Sequence, residues 1–163
     1  MPHVIQISLE PVAPDDRLTP GYFDIEDELL RNIAEYVDED SQPVETLSMF
    51  QRCLTNGNPH AEPFHNGEER GVWFREGFKE AFFQKPFDVF LRLAQKLAKE
   101  TTLDSFIHDG PEGDVFALGE AYNERYGWYV YYDAMTMTLD DFIRHHARAG
   151  VRYYYGGIVY YRL

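Results

Sequence analysis

The sequence predicts an α+β domain, with helices mainly in the N-terminal 100 residues and an antiparallel sheet mainly towards the C-terminus. Three observations predict it. Apolar residues recur at helical spacing in several windows before residue 100. After residue 103 the texture turns to short apolar and aromatic runs separated by turn residues. At the C-terminus two tyrosine-rich runs flank Gly156-Gly157, the signal of a terminal hairpin. At 163 residues the chain has the length of a single domain, 1–163, able to bury a core without disulfides or metal. Its 16% aromatic content sets it apart from disordered chains, which are poor in aromatics.

Taken in order, residues 3–9 alternate, with Ile5, Ile7 and Leu9 on one face of a strand. Residues 10–21 carry three prolines and form a loop. From Tyr22 to Val37 a stripe of Ile25, Leu29, Ile33 and Val37 predicts a helix, which Asp38-Glu39-Asp40 ends. Ser41 opens a second helix carrying Val44, Leu47, Phe50 and Leu54, stopped by Asn56-Gly57. Residues 55–71 read as a long polar loop. Trp73, Phe74, Phe78, Ala81 and Phe82 suggest a third helix, and Pro86 opens a fourth. Residues 105–107 and 115–118 are short strand candidates split by a turn at 109–113. Residues 127–133 make a stronger strand. Thr138 caps a last helix with Leu139, Phe142, Ile143 and His146 inward, ended by Gly150. The closing segment, 151–163, is read as a hairpin in which Tyr153 faces Tyr160. Its alternative is one bent strand with a glycine bulge.

The net charge is −13. Residues 1–69 hold 15 acidic residues against three basic ones, for −12, while residues 70–163 hold 13 against 12, for −1. The sign argues against nucleic acid and anionic membrane as partners, since phosphate binding needs clustered Lys and Arg. The single Cys53 forms no internal disulfide. The N-terminus lacks a signal-peptide pattern, and no apolar run approaches the roughly 18 residues of a membrane span. A soluble, cytoplasmic protein is the expectation.

His60 and His65 lie near Glu62, Glu68 and Glu69, but the spacing matches no metal motif. His145 and His146 are neighbours on a helix and diverge by about 100°. Acidic pairs such as Asp15-Asp16 and Asp140-Asp141 read as solvated caps, and Cys53 as a small core residue. No phosphate loop and no Gly-x-Ser-x-Gly elbow is present. No cofactor and no metal is expected. The tyrosines of residues 126–161 read as core plus interface rather than as a base-stacking platform, because only Arg152 and Arg162 accompany the terminal ones.

The leading expectation is a non-enzymatic acidic binding protein, an inhibitor or regulator that docks on the basic, nucleic-acid-binding surface of a partner. The residues assigned to that contact are Asp24, Glu26, Asp27, Glu28, Glu35, Asp38, Glu39 and Asp40. In charge and length the chain resembles the small acidic DNA-mimic proteins that phages and plasmids use against restriction or CRISPR systems. The likeness rests on no motif, so no residue role comes with it. One alternative is a small enzyme or ligand-binding domain with a tyrosine-lined pocket and residues 55–71 as its lid. Another is a structural subunit that forms homo-oligomers through the tyrosine-rich hairpin.

Overall fold

The computed structural model describes residues 3–9, 36–39, 43–66, 69–123, 127–133 and 135–162. The class is α+β. The elements are β1 (His3–Leu9), β2 (Tyr36–Glu39), α1 (Pro43–Thr55), β3 (Ala61–Asn66), β4 (Glu69–Phe74), α2 (Phe78–Glu100), α3 (Leu103–Ile107) and α4 (Glu112–Tyr122). They continue with β5 (Trp128–Tyr132), β6 (Met135–Thr138), a helical turn α5 (Leu139–Asp141) that widens into a π-helix (Phe142–His146), and β7 (Arg152–Arg162). The seven strands among the described residues share one sheet, ordered β3-β4-β7-β1-β5-β6, with β2 also paired to β7. Every pairing is antiparallel except that of β1 with β5.

The expected terminal hairpin is instead one strand. β1 pairs along both halves of β7, from Leu9 opposite Tyr153 to His3 opposite Tyr160. Tyr153 and Tyr160 therefore do not face each other. Between the pairs Ile5–Ile158 and Ile7–Tyr155, three steps of β7 oppose two of β1. The extra residue is a β-bulge at Gly156-Gly157. Two glycines in a β-run signal a turn or a bulge equally well, and a third strand bridging both halves decides between them.

Four further expectations change. Residues 36–39 are strand β2, so the first helix does not reach Val37; residues 10–35 lie outside the described residues. The 55–71 stretch is mostly the hairpin β3–β4, closed by the pair Asn66–Glu69. Pro63 sits on the edge strand β3, where a missing amide costs no ladder bond. Trp73 and Phe74 belong to β4, and α2 runs unbroken through Pro86. A helix-interior proline costs about 3 kcal/mol; here its ring is buried in line with Phe78 and Phe82, which offsets that cost. The strand candidates at 105–107 and 115–118 are helices α3 and α4. Short apolar runs do not distinguish strand from helix by periodicity.

The strand at 3–9, the helix through Leu54, the strand at 128–132 and the Thr138 cap stand as expected. Thr138 Oγ1 accepts the Asp141 amide at 3.1 Å. The core lies between one face of the sheet and the helices. α1 contributes Leu47, Phe50 and Leu54; α2 contributes Phe78 and Phe82; the π-helical segment contributes Phe142 and Ile143. They meet Val72, Phe74, Val130, Tyr153 and Tyr155 on the sheet. Phe50 meets Tyr155 edge-on at 5.3 Å, and Phe74 stacks on Phe78 at 4.3 Å. Alternation along the strands sends Phe64, Trp73, Arg152 and Tyr154 to the opposite face, where Phe64 meets Tyr154 edge-on at 5.0 Å.

Candidate interaction surface

The acidic residues assigned to partner binding fall in two groups. Asp24, Glu26, Asp27, Glu28, Glu35 and Asp40 lie outside the described residues. Asp38 and Glu39 lie on β2, opposite Tyr160 and Val159 of β7, rather than at a helix end.

A second surface was not anticipated. α2 starts in the core and ends outside it: Phe78, Phe82 and Pro86 are buried, whereas Phe87 and Leu91 are exposed. α4 returns along α2, fastened by the Lys96–Asp114 ion pair at 2.8 Å and by the rings of Phe90 and Tyr122 at 6.2 Å. At the base of this arm, Arg144 lies over the rings of Phe83 and Tyr122, at 4.7 and 4.2 Å, and donates to the Tyr122 carbonyl. α3 links the two long helices at the tip. None of its residues is buried, and it is held by a capping box in which Thr102 and Ser105 satisfy each other's amides.

Eight of the ten exposed large apolar side chains among the described residues lie on this arm. Leu103 is 76% exposed, and Phe106 and Phe116 are each 68% exposed. Ile107, Val115 and Tyr122 accompany them. Four of the eight are aromatic, and a whole aromatic side chain offers about 150–250 Å². A few hundred Å² of exposed aromatic surface is as much as a monomer usually carries in its largest patch. Residues 103–122 also hold five carboxylates (Asp104, Asp109, Glu112, Asp114 and Glu120) and no Lys or Arg. The near-neutral total of residues 70–163 therefore hides an acidic tip.

The remaining candidates are placed as follows. His60 is exposed and its ring lies against Gly77; His65 is exposed on β3 opposite Arg70. His146 packs beside Tyr132 at 5.8 Å, and His145 is exposed. Among the described residues no group of three His, Cys, Asp or Glu is placed to hold a metal. Asp140 and Asp141 diverge: Asp140 is fully buried, while the Asp141 carboxylate lies 3.5 Å from Arg144.

The tyrosines are core first. Tyr153 is fully buried; its hydroxyl accepts the Arg148 amide at 3.0 Å and donates to the His146 carbonyl at 3.4 Å, tying the end of the π-helix to the sheet. Burial pushes its pKa up, against the pull of the Arg148 bond. Burial pushes the Tyr155 hydroxyl far above its ordinary range, and among the described residues that hydroxyl has no hydrogen-bond partner.

The elements named for the two alternatives take a different form from the one expected. The 55–71 lid is part of the sheet, and none of three clefts among the described residues gathers tyrosines with a histidine. β7 is one strand with neighbours on both sides rather than a terminal hairpin. No family model, no curated protein and no solved structure matches the chain.

Proposed function

We propose that the protein is a non-enzymatic binding protein, an inhibitor or regulator that works in the cytoplasm by docking on a basic, nucleic-acid-binding surface of a partner protein. The observation that carries this reading is the helical arm: large apolar side chains held out to solvent, with five carboxylates and no Lys or Arg in residues 103–122, where among the described residues Asp114 alone is paired with a lysine, Lys96 of α2. Apolar side chains supply the contact energy, and charge complementarity supplies orientation and on-rate. The carboxylates of Asp24, Glu26, Asp27, Glu28, Glu35, Asp38, Glu39 and Asp40 add negative charge and occupy phosphate positions on the partner, in the manner of a DNA mimic. Among the described residues no helix is long and apolar enough to cross a membrane, which is compatible with the proposed location.

The test is competition. Purified DNA-binding proteins, including a restriction endonuclease, a CRISPR effector and a histone-like protein, are loaded with labelled duplex DNA and followed by fluorescence anisotropy. The protein is expected to displace DNA from at least one of them, more weakly as salt rises. Reversing Asp38, Glu39 and Asp40 to Lys should weaken displacement at least tenfold. Displacement from none of the panel, or displacement unchanged by that reversal, overturns the reading.

A further inference from the structure

We infer that the cleft between the C-terminal end of α1 and the first half of α2 binds a small organic anion with a flat apolar body. The cleft holds about 470 Å³, within the usual range for small-molecule sites. Two cations reach it, Arg52 from the last turn of α1 and Lys85 from α2. Arg52 is one of only three basic residues in the first 69, so a positive charge here goes against the character of that part of the chain. Among the described residues neither Arg52 nor Lys85 has a carboxylate within ion-pair distance. Arg52 makes one long bond, Nε to the Ser48 carbonyl at 3.3 Å, which leaves most of its five donors for a ligand.

The remaining lining is mixed, with Asn56 and Asn58 polar and Leu54, Phe82, Pro86 and Trp128 apolar. Phe82 and Pro86 form one side and Trp128 another, with Phe50 behind the indole at 5.5 Å. The mouth is open at Gly57, where an added Cβ would meet nothing within 4 Å. The placement of Arg52 also favours the negative end of the α1 dipole. That role accounts for Arg52 alone, not for Lys85, which lines the same cleft from another helix. Two cations lining a cleft that also presents Phe82, Pro86 and Trp128 suit a carboxylate or phosphate joined to a ring. Cys53, the only cysteine, lines the cleft and reports its occupancy.

The experiment uses the full chain and two probes, naphthalene-2-carboxylate and adenosine 5′-monophosphate, with 2-naphthamide as the uncharged control. Binding is read by calorimetry and by the rate at which iodoacetamide alkylates Cys53. At least one anion is expected to bind saturably with Kd below about 1 mM and to slow alkylation. The amide should bind at least tenfold more weakly. Arg52→Gln/Lys85→Gln should lose at least tenfold in affinity with an unchanged circular dichroism spectrum. Preference for the nucleotide assigns the anion as a phosphate, and preference for the naphthoate assigns it as a carboxylate. Failure of both probes to saturate, equal binding of the amide, or undiminished binding in the double variant overturns the inference. None of these outcomes bears on DNA displacement, so this site and the proposed docking surface fail separately.

Discussion

Gly71 sits where three strands meet, opposite Phe64 on β3 and Tyr154 on β7. A Cβ there would collide with the Tyr153 carbonyl oxygen and with the Phe64 ring. The ring can turn, but the carbonyl belongs to the sheet and cannot. Gly71→Ala is therefore expected to cost about 1–3 kcal/mol, as overpacking does, visible as a lowered thermal midpoint. The buried tyrosines make a second prediction at this scale. Tyr132, Tyr153 and Tyr155 all have raised pKa values, with burial the leading cause. A phenol whose folded pKa exceeds the unfolded value near 10 keeps its full contribution to stability below that pH and loses it as pH rises further. Stability should hold to about pH 10 and then fall by up to about 1.4 kcal/mol per pH unit for each of the buried pair Tyr153 and Tyr155. Absorbance at 295 nm should show Tyr153 and Tyr155 ionising only as the protein unfolds. Their ionisation while circular dichroism is still native would contradict the burial of the sheet face.

Among the elements, α3 is the least supported. It has five residues, none buried, and its capping box supplies its fixed contacts. An isolated helix this short is marginal in water. Thr102→Ala should remove about 1 kcal/mol of capping and open α3 locally. Amide exchange at 103–107 should speed several-fold while the global unfolding midpoint stays in place. A fall in the global midpoint would mean that the tip is part of the cooperative core. α2 shows the opposite balance. Its first turns bury Phe78, Phe82 and Pro86, so a helix-breaking residue is carried through by packing. That is why a reading by propensity splits this helix at Pro86 and the folded chain does not.

The whole molecule has an anchored half and a projecting half. The sheet with α1, the start of α2 and the π-helical segment shares one core, and the arm from Phe87 to Tyr122 extends beyond it. Substituting both Phe106→Asp and Phe116→Asp should change stability by no more than about 0.5 kcal/mol, as at other exposed sites. The same pair should reduce DNA displacement at least tenfold. Lost stability would assign the two rings to the fold; unchanged displacement would take the arm out of the docking surface.

The sequence by itself determined the α+β class, the strand at 3–9, the helix carrying Leu47, Phe50 and Leu54, the strand at 128–132 and the Thr138 cap. Each of these follows from short-range periodicity or capping, where neighbours in the chain set the outcome. It also determined the segregation of charge, which is a matter of counting. Only the tertiary structure decided that Gly156-Gly157 is a bulge, because β1 pairs with both sides of it. It likewise decided that 61–74 is a hairpin, that Pro86 lies inside a helix, and that 103–122 is helical. In those cases the local signal allows two conformations, and contacts with residues far away in the chain select one. The apolar residues of the tip were legible as letters all along. That they stay in water could be known only once the core had closed without them.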